Sequence, residues 1–180
     1  MKYILIALLS INLYASIKTD MLELYKNKKY KEVCREGFDN FQTYKKDEQY
    51  VSIYAFGCLN ADYIDRLTVP IAALKYSKEA RANATYFSVI LMQKKMLYHA
   101  LADGYNINNL KLPSTDYILS KVFDMYVKLK KHNKKFYIFK DKDNKKLMYK
   151  LYILKDGQRV PKMVIEEYID SKLIKQHTYW

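Results

Sequence analysis

Between Thr19 and Leu129 the apolar residues return at steps of three and four, the period of helices with one buried face. From Thr19 to Phe41 the positions Leu22, Leu24, Tyr25, Tyr30, Val33, Cys34, Phe38 and Phe41 keep this rhythm, interrupted at Asn27-Lys28-Lys29. The pattern predicts a short helix, a tight turn and a second helix. Tyr50 to Leu59 repeats the theme and Asn60-Ala61-Asp62 breaks it. Leu67 to Ser77 resumes it, with Pro70 tolerable only near that helix's first turn. Ala80 to Met92 and Lys94 to Leu101 read as a third helix pair, closed by Gly104 as a left-handed cap. After the loop from Asn106 to Leu112, Pro113-Ser114-Thr115-Asp116 opens a last helix whose buried stripe is Ile118, Val122, Phe123, Met125, Tyr126 and Leu129.

Past Lys130 the period shortens to two. Phe136 to Phe139 and Leu147 to Leu154 are β runs joined by the turn residues Asp141 to Asn144, and two further strands are expected from Arg159 to Ile169 and from Lys172 to Trp180. Pro161 places the third of these at an edge or a bulge. Aromatic residues alternate with lysines, the pattern of a sheet with one apolar and one basic face. So small a sheet is marginal alone, and it is expected to pack on the last helix or to complete itself on a partner.

The first residues follow neither pattern. Lys2 precedes an apolar run from Tyr3 to Ala15, which reads as a secretory signal peptide cut after Ala15. The run falls short of the ~20 residues that span a bilayer as a helix, and Ser10 and Asn12 weaken it as an anchor. Leu13, where a small residue is favoured before the cut, keeps an uncleaved anchor or a buried first strand as the alternatives. The expected organisation is a leader over 1–15, a helical repeat region over 16–132 and a basic antiparallel β-hairpin region over 133–180. The fold class is α+β, mainly α with a β-rich C-terminus.

Three helix pairs at regular spacing make a short α-solenoid, and here the chain resembles tetratricopeptide repeats. Leu24 to Val33 looks like the end of a repeat's first helix, its turn, and the first positions of its second. Ile53, Phe56 and Gly57 match the large, large and small residues at which such helices pack. The match is degenerate: Lys28 stands where the turn normally carries Gly, and Val33 and Val69 stand where Ala is usual. The resemblance implies a scaffold whose concave face binds a peptide or another protein. In style the chain is also similar to small periplasmic proteins of epsilon-class Gram-negative bacteria, some of which decorate envelope machines such as the flagellar motor.

Export changes how composition is read. In an oxidising compartment Cys34 and Cys58 are candidates for a disulfide. They lie equally far from Lys46, in the polar stretch between two helices, so an antiparallel hairpin would set them side by side. Two separate buried thiols are the alternative. Half of the 180 residues are apolar, which excludes a disordered or collagenous chain. The net charge of +13 is uneven: residues 121–180 hold 16 Lys and Arg against seven acids. Inside a cell, lysines interleaved with aromatics would point to single-stranded nucleic acid. Outside it, nucleic acid is disfavoured, and anionic cell-wall polymers, lipid head groups or acidic protein patches become the partners, unless the lysines are only a solvated face.

Catalytic patterns are sparse. His99, His132 and His177 fall in three elements without metal-ligand spacing. Asp62 and Asp65 belong to a turn, and Asp141-Lys142-Asp143 lacks the later acid and Gly of a calcium loop. Glu166 and Glu167, adjacent on a strand, point to opposite faces. The reading is therefore a non-catalytic, cofactor-free envelope scaffold with Tyr50, Tyr54, Tyr86 and Tyr98 as groove-facing partner contacts. The alternatives are a cell-wall glycan binder or hydrolase using Glu166 or Glu167, and an assembly factor whose exposed strand edge pairs with a client strand.

Overall fold

The computed structural model describes residues 17–132, 135–155, 157 and 160–180. The expected leader, and Arg159 at the expected start of the third strand, lie outside them. The chain divides into two compact units, Met1–Phe87 and Ser88–Trp180. The division between these units falls inside a helix, and the sheet shares its unit with two helical segments.

In the first unit, α1 covers residues 17–26 and α2 covers Tyr30–Asp39. Between them Lys28 adopts a left-handed φ of 58°, with its N–H bonded to the Tyr25 carbonyl. The backbone there takes the conformation glycine adopts most readily, although a lysine occupies it. The single turn α3, Phe41–Tyr44, leads to α4, Glu48–Asn60, whose cap Asp47 accepts from the N–H groups of Gln49 and Tyr50. Asp62, also left-handed, ends that stretch. The helix expected from Leu67 to Ser77 is a 3₁₀ turn, Ile64–Leu67, followed by the short α5, Thr68–Ala73, with Pro70 in its first turn.

α2 and α4 pack closely enough for Cys34 and Cys58 to form the disulfide, with Cα atoms 4.6 Å apart. Both are fully buried, together with Val33, Val51, Ala55 and Leu67. An antiparallel hairpin thus brings together the two positions that the sequence places symmetrically about the turn.

The expected third helix pair is one continuous helix. α6 runs Lys78–Asp103, begins after Ser77, whose hydroxyl accepts from the Ala80 N–H, and ends at left-handed Gly104. Gln93, which falls between the two expected helices, and Lys94, the expected start of the second, are buried and satisfied. Gln93 donates to the Pro113 carbonyl and accepts from Ser120, and the Lys94 ammonium donates to the Trp180 main-chain oxygen. Polar side chains with tertiary partners do not interrupt a helix.

The second unit adds α7, Ile118–Tyr126, and a four-stranded antiparallel sheet of order β1-β2-β3-β4: Phe136–Lys140, Leu147–Leu154, Lys162–Ile169 and Lys172–Tyr179. The α7 stripe of Ile118, Leu119, Val122, Phe123 and Tyr126 is buried, and Tyr126 meets Tyr137 edge-on with ring centres 5.1 Å apart. In register, Tyr137, Leu151, Ile165 and His177 share one row, and Phe139, Tyr149 and Glu167 the next. Pro161 precedes β3 and does not mark an edge, since β3 is a central strand. The outward face is not simply basic: Phe136, Ile138 and Tyr152 stand on it beside Lys140 and Lys150. Among the described residues no helix is long and apolar enough to cross a membrane.

Candidate binding groove

The tyrosines expected to face a groove do not form one surface. α4 is enclosed on most of its circumference, so a helical period alone could not tell core from groove. Tyr50 is fully buried, stacks on Tyr44, and donates its hydroxyl to the carbonyls of Glu36 and Gly37 at 2.9 and 3.2 Å. Burial raises its pKa. Tyr54 is equally buried, its ring against Gly37, and its hydroxyl makes no hydrogen bond among the described residues. Both belong to the core and present nothing to a partner. Tyr86 is half-buried against Phe56 and Phe87. Tyr98 lies in the second unit, where its hydroxyl donates to the Pro161 carbonyl at 2.7 Å.

A different concavity lies in the first unit. α3 and the loop after it meet α5 and the loop after that around a cavity of about 530 Å³. Its apolar lining is Phe41, Val69, Ala72, Ala73 and Tyr76, and its polar lining includes Lys45, Lys46 and Lys75. The small side chains of α5 leave the space open. All three lysines are exposed, as is Tyr76 at 65 %, whose ring lies 5.3 Å from the Lys75 ammonium.

Glu48, in the first turn of α4, fixes one wall. Its carboxylate accepts the consecutive N–H groups of Lys75, Tyr76 and Ser77 at 3.0, 2.6 and 2.9 Å. Arg81 holds the same loop from the other side, donating to the Lys75 and Tyr76 carbonyls. Loss of water around Glu48 would raise its pKa, but the donors from Tyr76, Ser77 and Lys75 outweigh that and lower it from 4.5 to about 2. The loop thus sits on a fixed anion, and the groove combines an apolar floor with three cations and no lining carboxylate. Such a site suits a group that is apolar at its centre and negatively charged at its margin. The sequence signals were the Lys45-Lys46 doublet and the Ala72-Ala73 pair, which only the fold sets facing one another.

The carboxylates of the sheet are already engaged. Glu166, 7 % exposed, accepts the hydroxyls of Tyr168 and Tyr152 at 2.7 and 2.9 Å and lies 3.4 Å from Lys150. Desolvation works against its charge, yet these partners lower its pKa. Glu167, on the opposite face, is held low chiefly by its 2.8 Å hydrogen bond with His177. Each stays ionised on a separate face, so they do not converge on one substrate as a glycosidase pair would. Asp141 accepts the N–H groups of Asp143 and Asn144 and the Tyr149 hydroxyl, which makes its loop a self-satisfied hairpin turn. His99 pairs with Asp103 and stacks on Tyr105, while His132 bonds the Tyr126 carbonyl. Among the described residues no three His, Cys, Asp or Glu side chains are grouped as a metal would need.

Comparison of the chain with protein-family models, with curated proteins and with solved structures returns no match.

Proposed function

We propose that the protein is a non-catalytic binding component of a cell envelope, exported to the periplasm, that holds a segment of an envelope protein in the groove between α3 and α5. The reading rests on one observation: an open, apolar-floored cavity ringed by Lys45, Lys46 and Lys75, with one wall pinned by Glu48. The partner segment that fits is an acidic one carrying an apolar anchor. Burying such an anchor contributes about 1.5–3 kcal/mol, and the lysines add steering and orientation more than affinity. The disulfide supports an oxidising compartment. Degenerate tetratricopeptide-like pairing is the scaffold reading that goes with it, carried by the α1–α2 turn at Lys28 and the packing of Gly57 on α2.

The test is site-specific photocrosslinking in the native envelope, with the crosslinker at Ala72 and, as a control, at Lys26 on α1. The expected result is one dominant protein adduct from Ala72, absent from Lys26, and lost when Lys45, Lys46 and Lys75 are all changed to Glu. Equal adducts from both positions, or an Ala72 adduct that survives charge reversal, would sink the reading.

A further inference from the structure

The two edges of the sheet are built differently. β4 carries a register shift opposite Glu167/Tyr168 and lysines at 172 and 175. Bulges and edge lysines are the devices by which proteins discourage a further strand. β1, the other edge among the described residues, stays in unbroken register with β2 from Phe136↔Tyr152 to Lys140↔Met148, and Lys140 is its only charged residue.

The Asp141 N–H donates to the Leu147 carbonyl at 3.0 Å, and that pair continues the β1–β2 register. In an antiparallel ladder hydrogen-bonded pairs alternate, so Phe139 and Tyr137 direct their N–H and C=O toward β2. Phe136, Ile138 and Lys140 direct theirs to the outer edge. The side chains of Phe136 and Ile138 are also 50 % and 54 % exposed.

We propose that the β1 edge binds an extended segment of another protein, apolar at alternate positions and acidic at both ends, by adding it as a fifth strand. Main-chain pairing with Phe136, Ile138 and Lys140 holds the segment, and the exposed Phe136 and Ile138 side chains give its apolar residues a surface to pack on. Charge selects the occupant. Lys130, Lys131 and Lys135 precede the strand, Lys140 ends it, and Lys142, Lys145 and Lys146 follow it, outnumbering Asp141 and Asp143; Asp141 is moreover occupied by Tyr149 and its own turn. A second copy fits less well: paired in parallel it sets Lys140 against Lys140, and paired antiparallel about Ile138 it brings the lysine-rich segment before one strand beside the lysine-rich segment after the other. The inference is independent of the α3–α5 groove.

The test uses the full chain and a synthetic peptide, Asp-Asp-Val-Thr-Val-Thr-Val-Asp-Asp, measured by calorimetry beside two controls: the same peptide N-methylated at alternate residues, and one with Lys for every Asp. The acidic peptide should bind at least about tenfold more tightly than either control. Ile138→Pro removes an outward N–H and leaves the β1–β2 ladder intact, a position at which edge strands tolerate proline. It should abolish binding with little change in the thermal midpoint, while Ile138→Val should retain it. Equal affinity of the N-methylated peptide, equal affinity of the lysine peptide, or no binding of the acidic peptide at millimolar concentration each overturns the proposal. If the proline variant fails to fold, the N-methylated peptide on the unmodified chain still decides.

Discussion

Glu48 orders the groove without lining it, because three consecutive N–H groups share its carboxylate. With the folded pKa lowered from 4.5 to about 2, its contribution is complete above pH 4.5 and is lost as pH falls toward 2, where the folded state must also take up the proton. Glu48→Gln should therefore lower the unfolding midpoint at neutral pH, with the gap to the unmodified chain narrowing below pH 4.5 and nearly closing by pH 2. A gap that stays constant across that range, followed by circular dichroism, would show that the loop does not depend on the charge. Nothing in the sequence singles out Glu48, since its partners lie 27 to 29 residues away. Cys34 and Cys58 were legible because the signal was local geometry about one turn. Tyr50 and Tyr54 could not be told from groove residues in the sequence because α4 is enclosed on most of its circumference, which leaves little period to read.

At the scale of elements, the sequence was most informative where a helix has one wet face or a strand alternates. α2, α7 and all four strands were legible for that reason, as was the Gly104 cap. α6 was not, because Gln93 and Lys94 find partners that only the folded chain supplies. Gly57 was legible as a small residue at a helix crossing, and the structure gives the reason: a Cβ there would lie 2.5 Å from Val33 Cγ1 and 2.8 Å from Val33 Cβ. Neither contact is possible without displacing α2 from α4. Gly57→Ala should thus destabilise the chain by ~1–3 kcal/mol, the usual cost of overpacking a close contact. Denaturant unfolding measures it, and Val33→Ala in the same chain should recover part of the loss. Unchanged stability in Gly57→Ala would mean that the two helices are free to separate.

At the scale of the molecule, charge and packing divide the chain differently: the basic excess sets in near Lys130, whereas the compact units divide at Phe87 and Ser88. Composition records which residues are exposed, and a long helix can give one end to each of two cores, so charge and packing boundaries need not coincide. The disulfide belongs entirely to the first unit, and the loop it closes, from Cys34 to Cys58, carries Phe41, Lys45, Lys46 and Glu48. Cross-linking a loop of this length contributes about 3 kcal/mol by restricting the unfolded chain. Reduction should therefore raise amide hydrogen exchange in α2 and α4 roughly a hundredfold, the equivalent of that free energy, while β2 and β3 keep their protection. The groove would loosen with it, so capture through Ala72 should fail in reducing buffer even though the lysines are unchanged. Exchange that rises equally in the sheet would mean the chain unfolds as one unit, and exchange that does not rise at all would mean that packing around Val33 and Gly57 holds the hairpin without its covalent bond.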